Sequence, residues 1–452
     1  MDTTWEYSDC PVNEVRNFIT FEDDGRMYVL GQAGGPNCET ITYCSYTTDG
    51  LTFQPIVSSP LIGTKQYIAK YKDEYYLGGS FPNKNNGVYK IVGDSLVSVG
   101  DSLCYGDYSN HGGTVYKLIP FNDQLFVIGT FNYADKEPAR GVAIWNGENW
   151  NSMPGQLYPN NNSLLYDSTE YVLVWDAIFY RNTLYVAGNF NLKNPVTGDY
   201  YANEIAFWNG QKWQSPGNGV YGDSWIENMV VYKDELYIGG YFNSLAGNAG
   251  SFIQKWNGKI WTDVGGAFYA GDHLPNGQIH DMKVYNGELY VSGLLGTVNG
   301  KLMKYIAKWD GTNWTKIAPD FFTKRVSAIG FFNEYLYVYG GYYDFPNDTL
   351  EYPGKGFYRK YIGKDNSTEN NNISIFPNPF SDQITLQYNL DKTSNFKFAL
   401  YDVLGNIVYQ EENPTAYGYY HYSLPTLNLA QGLYIARIEL NGHTMAGKII
   451  KQ

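Results

Sequence analysis

Histidine and charge are both scarce in this sequence: five histidines in 452 residues, and Asp, Glu, Lys and Arg together at 17%. The charge present is acidic, with a formal net of −13 at pH 7. Nucleic-acid binding needs clustered Lys and Arg to displace counterions, so the balance argues against that class. No apolar run approaches the ~20 residues that cross a bilayer as a helix. Met1-Asp2-Thr3-Thr4 has neither a basic start nor an apolar stretch, so no secretory leader is visible, and the expectation is a mature or trimmed form. With so few histidines, catalysis or metal binding through imidazole has few candidates. His273 and His280, flanked by Asp272 and Asp281, are read as loop histidines held by hydrogen bonds.

Cysteine is scarce too, and all four copies lie in the first quarter of the chain. Cys38 and Cys44 flank a short segment and are read as a hairpin staple, which leaves Cys10 with Cys104. Three pairings are formally possible. Cys-x5-Cys without a neighbouring Cys or His is a poor zinc signature, so disulfides are the preferred reading. Gly93-Asp94-Ser95-Leu96 and Gly100-Asp101-Ser102-Leu103 spell a hydrolase motif twice, but that nucleophile needs a strand-to-helix turn, and the surroundings read as hairpins. No catalytic motif survives this reading, and the chain is expected to be a non-enzyme.

Aromatics and glycine are abundant: 17% aromatic residues, 44 tyrosines and 49 glycines. They fall into a repeat, shown most cleanly by Met282–Trp314. An apolar run, a tight polar turn and a second apolar run end at a glycine. After a variable loop come Ile306-Ala307-Lys308-Trp309, an Asp310-Gly311 turn and Trp314. Such β-branched and aromatic runs, broken by Asn-Gly or Asp-Gly, read as hairpins. Marker glycines recur at Gly31, Gly79, Gly129, Gly188, Gly240, Gly293 and Gly340, 47 to 59 residues apart. About four strands every ~50 residues is the period of a β-propeller blade. The fold expected is therefore all-β: a seven-bladed β-propeller over residues 1–363. The strand Thr4–Tyr7 would complete the last blade and close the ring.

The turns inside the blades are short and lie at one end. Long connections emerge at the other, between strands two and three (132–140, 191–203, 343–355) and between blades (101–113, 152–171, 215–225, 265–277). Long loops on a rigid scaffold are where binding residues concentrate. Tyr105, Tyr133, Tyr200, Tyr201, Trp225, Tyr269, His273 and Tyr343 on these loops are the candidate ligand contacts, with aromatic faces for sugar C–H surfaces and polar groups for hydroxyls. Asp344, Asp348 and Glu351 could offer oxygens to calcium, without EF-hand spacing. No other cofactor is expected.

A polar linker, 364–372, then leads to residues 373–452, where the period is lost. Seven short strands there read as a small Ig-like antiparallel β-sandwich. FPNPF (376–380), YDVLGNIVY (401–409) and the run 429–452 resemble the type A C-terminal sorting domain of the Bacteroidota type IX secretion system. Carried over residue by residue, Pro377, Asn378, Pro379, Asp402, Gly405, Gly432, Tyr434, Lys448 and Lys451 belong to that signal. The resemblance implies export, recognition by the type IX translocon and its outer-membrane shuttle protein, and cleavage by a sortase-like peptidase with surface attachment. The repeat itself is similar to LY-x-GG-F … W-[ND]-G repeats of secreted bacterial proteins, and more distantly to kelch-like and cortical-marker propellers. The function expected is a secreted, cell-surface protein that binds an extracellular carbohydrate or surface polymer, as in adhesion, gliding or polysaccharide capture. The alternative is a protein–protein module of the secretion or surface machinery, with a polysaccharide-degrading enzyme third.

Overall fold

The structure, a computed structural model, describes residues 5–7, 14–21, 25–34, 40–56, 61–62, 64–81, 87–100, 103–104, 113–155, 157–159, 172–193, 197–198, 200–217, 219–220, 224–242, 247–266, 268–269, 277–298, 301–318, 326–340, 357–362, 372–376, 380, 384–424, 429–440 and 443–451. Among these, every regular element is a β-strand, and no helix is long and apolar enough to cross a membrane. The chain divides into two compact units, Met1–Tyr361 and Ile362–Gln452.

The first unit is an all-β series of antiparallel, up-and-down sheets, seven of them built on one plan. Their first strands, called inner strands below, are Glu14–Phe21 in sheet 1, Thr64–Tyr71 in sheet 2 and Thr114–Phe121 in sheet 3. Leu173–Tyr180, Trp225–Tyr232, Gln278–Tyr285 and Val326–Phe332 follow in sheets 4 to 7. Each inner strand lies beside those of the sheets before and after it, and the inner strand of sheet 7 lies beside that of sheet 1. The outermost strand of sheet 7 comes from the other end of the unit: Trp5–Tyr7 pairs antiparallel with Phe357–Tyr361, Trp5 opposite Lys360.

Local chemistry explains the plan. The turns from first to second strand hold both central residues at positive φ: Lys72–Asp73, Asn122–Asp123, Arg181–Asn182, Lys233–Asp234, Asn286–Gly287 and Asn333–Glu334, all between 48° and 76°. That is the type I′ geometry whose twist matches the strands it joins. In the Trp-containing turns, Asn146, Asn209, Asn257 and Asp310 each accept two backbone N–H bonds with one side-chain oxygen. The flanking tryptophans then meet across the hairpin at 5.1–5.5 Å.

Both faces of a sheet are buried against its neighbours. Val115, Leu125 and Val127 of sheet 3 pack with Val88 and Tyr76 of sheet 2, while Ile128 and Val142 pack with Val174 and Val186 of sheet 4. Polar latches join successive sheets at the tight-turn end. The Tyr71, Tyr180 and Tyr232 hydroxyls donate to the Asp123, Asp234 and Gly287 carbonyls of the next sheet at 2.7, 2.9 and 3.1 Å. The following residues Lys72, Arg181 and Lys233 reach the Asn146, Asn257 and Asp310 carbonyls of that same next sheet. This end is thereby tied down, which leaves elaboration to the other.

The second unit departs from the expected seven short strands. Its sheet has five: Asn372–Phe376, Ile384–Tyr401, Ile407–Leu424, Gly432–Leu440 and His443–Lys451. Segments read separately at 384–390 and 396–401, and at 407–411 and 418–424, are halves of two 18-residue strands that pair along their length with register shifts between Leu390 and Phe396. Bulges let one strand bend instead of ending, so composition alone over-counted the breaks. Phe396, Phe398, Leu400, Ile438 and Ile384 form its core. Asn372, placed in the linker by its composition, opens the first of these strands, and 363–371 lie outside the described residues.

The Cys38–Cys44 staple is a correction as well. Cys44 is a free, buried thiol among Tyr28, Leu30, Leu77 and Phe81, on a strand, Thr40–Thr47, that turns it toward the core, and burial pushes its pKa far up. Cys10 and Cys38 lie outside the described residues; Cys104 is buried at the end of Leu103–Cys104.

Candidate functional site

In all seven inner strands the pairing with the second strand slips at the same place. The shifts fall between Val15 and Asn17, Thr64 and Tyr67, Val115 and Lys117, Val174 and Asp176, Ile226 and Asn228, Ile279 and Asp281, and Val326 and Ala328. A β-bulge leaves its extra residue out of the ladder and re-aims it. The marker glycines are the counterpart. A Cβ on Gly129, Gly188, Gly240 or Gly293 would sit 2.1, 2.0, 2.2 or 2.1 Å from the carbonyl oxygen of Thr114, Leu173, Trp225 or Gln278, which the bulge drives against the second strand. In these four sheets the glycine that betrayed the repeat is therefore the glycine that lets the inner strand bulge. The extra residues, Tyr116, Trp175, Glu227, His280 and Ser327 in sheets 3 to 7, lie near the strand starts, away from the type I′ turns.

Sheets 5 and 6 bring two of them together. Glu227 Oε2 lies 2.9 Å from His280 Nδ1. Glu227 Oε1 accepts from Trp225 Nε1 at 2.9 Å and from Gln278 Nε2. The Trp225 ring stacks on Tyr241 at 4.5 Å and 23°. A carboxylate only accepts, so Nδ1 carries a proton in this contact, which leaves Nε2 as the other ring nitrogen. That nitrogen is buried and has no partner among the described residues. The cluster thus brings an aromatic ring, a carboxylate and an imidazole together on two adjacent strands.

Beneath it a belt of buried polar groups joins the inner strands. Lys117 Nζ pairs with Asp176 Oδ1 at 2.5 Å, and Asp176 Oδ2 accepts from Met229 N at 2.6 Å. Asn228 Nδ2 donates to Asp281 Oδ1 at 3.4 Å, and Asp281 Oδ2 accepts from Ile329 N at 3.0 Å. Burial works against the Lys117 charge, but Asp176 outweighs it and the ammonium is held above the usual lysine range. For Asp281 burial wins over the attraction of Lys283, and its carboxyl is raised. In sheet 4, Glu204 is buried, its Oε2 has no partner among the described residues, and burial pushes it up to about 8.

Of the residues expected at the site, Trp225 is in the cluster. Tyr133 is half-buried in a small sheet whose middle strand, Tyr133–Ala134, pairs with Leu103–Cys104 on one side and Glu137–Pro138 on the other. In the same way Thr297–Val298 pairs with Phe268–Tyr269 on one side and Lys301–Leu302 on the other, so two inter-sheet connections pair with second-to-third-strand loops of the following sheet. Tyr200 and Tyr201 are not in a free loop: they open the strand Tyr200–Trp208, opposite Lys193 and Leu192. The side chains of Tyr200, Tyr201 and Tyr269 lie outside the described residues, as do Tyr105, His273, Tyr343 and the calcium candidates Asp344, Asp348 and Glu351. Among the described residues no three His, Cys, Asp or Glu side chains are placed to hold a metal. His280, read as a loop residue, sits within the strand Gln278–Tyr285. Glu227 and Gln278 were missed, though Glu227 stands as far before Gly240 as His280 stands before Gly293.

In the second unit, Asp402 and Gly405 shape the 402–406 turn, and Gly432 and Lys448 pair opposite Lys451 and Ile435. Tyr434 is buried and donates to the Ala430 carbonyl at 2.7 Å. Phe380 N donates to the Ile450 carbonyl at 2.9 Å, and Lys451 Nζ lies 5.3 Å from the centre of the Phe380 ring. Pro377, Asn378 and Pro379 lie outside the described residues.

These features define an all-β protein, a repeat scaffold with an elaborated end followed by a separate terminal unit. Residues 374–452 match the Secretion system C-terminal sorting domain, so the chain carries a type IX secretion sorting signal. No curated protein matches the chain. Among solved structures it is similar to a puromycin-hydrolyzing peptidase of Mycobacterium tuberculosis, at 10% identity and TM-score 0.42, over 84% of this chain and 60% of that one. It is also similar to a glycoside hydrolase family 43 arabinoxylan arabinofuranohydrolase from Bacillus subtilis, at 10% identity and TM-score 0.25, over 97% and 94%. A third is latent PorU from Porphyromonas gingivalis, at 12% identity and TM-score 0.17, over 94% and 31%.

Proposed function

We propose that the first unit is a seven-bladed propeller closed by Trp5–Tyr7, displayed on the cell surface after type IX export, and that it binds an extracellular carbohydrate at the bulged ends of its inner strands. The ring reading is supported by the neighbour relations of the inner strands and by the pairing of the two ends of the unit in sheet 7. The binding reading is carried by one observation: Trp225, Glu227, Gln278 and His280 converge from two adjacent sheets, with one imidazole nitrogen unpartnered among the described residues. Sugars are held by this mixture, a ring face for C–H surface and fixed acceptors for hydroxyls. The reaction assigned is binding without turnover.

The test uses the full chain against soluble xylan, arabinoxylan, β-glucan, mannan and galacturonan. Saturable binding to one of them is expected, weakened at least ~10-fold by Trp225→Ala, since stacked aromatics dominate such contacts, and retained at high salt. No binding across the panel, or binding untouched by Trp225→Ala, sinks the reading. Steep loss with salt would favour a charge-steered protein partner for this acidic chain. Release of reducing ends that Glu227→Gln abolishes would replace binding by hydrolysis.

A further inference from the structure

Solvent access along the inner strands stops just past the bulges. The bulge residues Tyr116, Trp175, Glu227, His280 and Ser327 are all half-buried. One residue further toward the type I′ turns, Asp176, Asp281 and Ala328 are 3%, 6% and 1% exposed. Asn228 Oδ1 is buried as well, and the Lys117 side chain is 18% exposed. The residues after these, Leu118, Ala177, Met229, Met282 and Ile329, are at most 2% exposed.

The stop is a floor of side chains that bridge from sheet to sheet. Lys117 of sheet 3 pairs with Asp176 of sheet 4, which accepts from Met229 N of sheet 5. Asn228 of sheet 5 donates to Asp281 of sheet 6, which accepts from Ile329 N of sheet 7. The Lys117 ammonium also feels the Asp281 carboxylate, so groups of sheets 3 and 6 approach one another at this level. Displacing any of these partners would leave a buried charge uncompensated, so the floor does not yield to a ligand. Above it the bulges differ by side. Sheets 3 and 4 carry the rings of Tyr116 and Trp175, and sheets 5 to 7 carry Glu227, His280 and Ser327.

We infer that the bulged end is a blind pocket that takes the end of an unbranched polysaccharide chain, not a stretch of its middle. The inference rests on the carbohydrate reading above and narrows it. A chain threaded past the bulges would meet the floor. A chain lying across the strand starts would touch the rim and leave the Glu227–His280 pair below it. Only a terminal unit can enter between the bulges, set a ring face against the aromatic side and turn its hydroxyls to the polar side.

The experiment titrates the full chain with linear xylan, β-glucan, mannan and galacturonan, each intact and after partial enzymatic depolymerisation. Raising the chain ends per unit mass about tenfold should lower the half-saturating mass concentration ~10-fold, with a single protein bound per chain at either length. Ser327→Trp, which sets a large ring at the smallest of the five bulge positions, should weaken binding of the short chains at least ~10-fold. Half-saturation at the same mass concentration before and after cleavage, with many proteins on each long chain, overturns the inference and leaves the carbohydrate reading standing. So does undiminished binding by a folded Ser327→Trp chain. Absence of binding to all of these preparations overturns the inference as well, and the carbohydrate reading falls with it where branched arabinoxylan is not bound either.

Discussion

Gly240→Ala is expected to destabilise the first unit by about 3 kcal/mol, within the range for inserting a methyl group where no space exists. The new Cβ would meet the Trp225 carbonyl oxygen at 2.2 Å and the Ile226 Cα at 2.9 Å, and both are backbone atoms that no rotamer change can move aside. Relief requires the bulge to flatten, which carries Glu227 away from His280. The variant should therefore lose ligand binding even at temperatures where it remains folded. Urea unfolding of the full chain, with polysaccharide binding measured on the same preparation, checks both effects. A Gly240→Ala chain of wild-type stability would show that the bulge does not depend on the glycine. Gly198 is the comparison, because a Cβ there meets nothing within 4 Å, although its φ of 79° still carries some strain.

Glu204→Gln is expected to do the opposite, and only at higher pH. Burial raises the Glu204 carboxyl from 4.5 to about 8 in the folded chain. Below pH 4.5 both folded and unfolded states hold the proton, and the shift costs nothing. Above it the unfolded chain releases the proton while the folded chain keeps it, so stability falls as pH rises and levels off beyond about 8. At 1.36 kcal/mol per unit the full loss is about 5 kcal/mol. Glutamine cannot ionise, so wild type and Glu204→Gln should unfold at similar urea concentrations at pH 5, and the variant should be the more stable by about 3–5 kcal/mol at pH 9. Parallel pH profiles would mean that Glu204 is solvated or paired in the folded chain.

Much of the scaffold was legible because the repeat writes the same local chemistry many times. Asn-Gly and Asp-Gly turns, paired tryptophans and marker glycines each have one structural consequence, and each was read from residue type and spacing. The site was less legible. Glu227 and His280 alternate with core residues in strands that read as plain apolar runs, and only the bulge turns them out. The signal was present as the glycine on the second strand, but its meaning needs the carbonyl that presses on it. Cys44 was misread for a related reason: proximity to Cys38 in sequence says nothing about which face of a strand a thiol occupies. In the terminal unit the strand count failed because a bend at 390–396 looks like a break when judged by composition. Asp402, Gly405 and Tyr434, which the resemblance assigns to the sorting signal, hold a turn and a packing position in the structure.

The most direct test of the account is amide hydrogen exchange on the full chain, with and without saturating bound polysaccharide from the panel. Added protection is predicted in 225–229 and 278–282, at the bulged starts of two adjacent inner strands, and none in the Trp-turn segments 257–260 and 310–313. Protection at those tight turns instead, with the strand starts unchanged, would contradict it and move the binding face to the opposite end of the sheets.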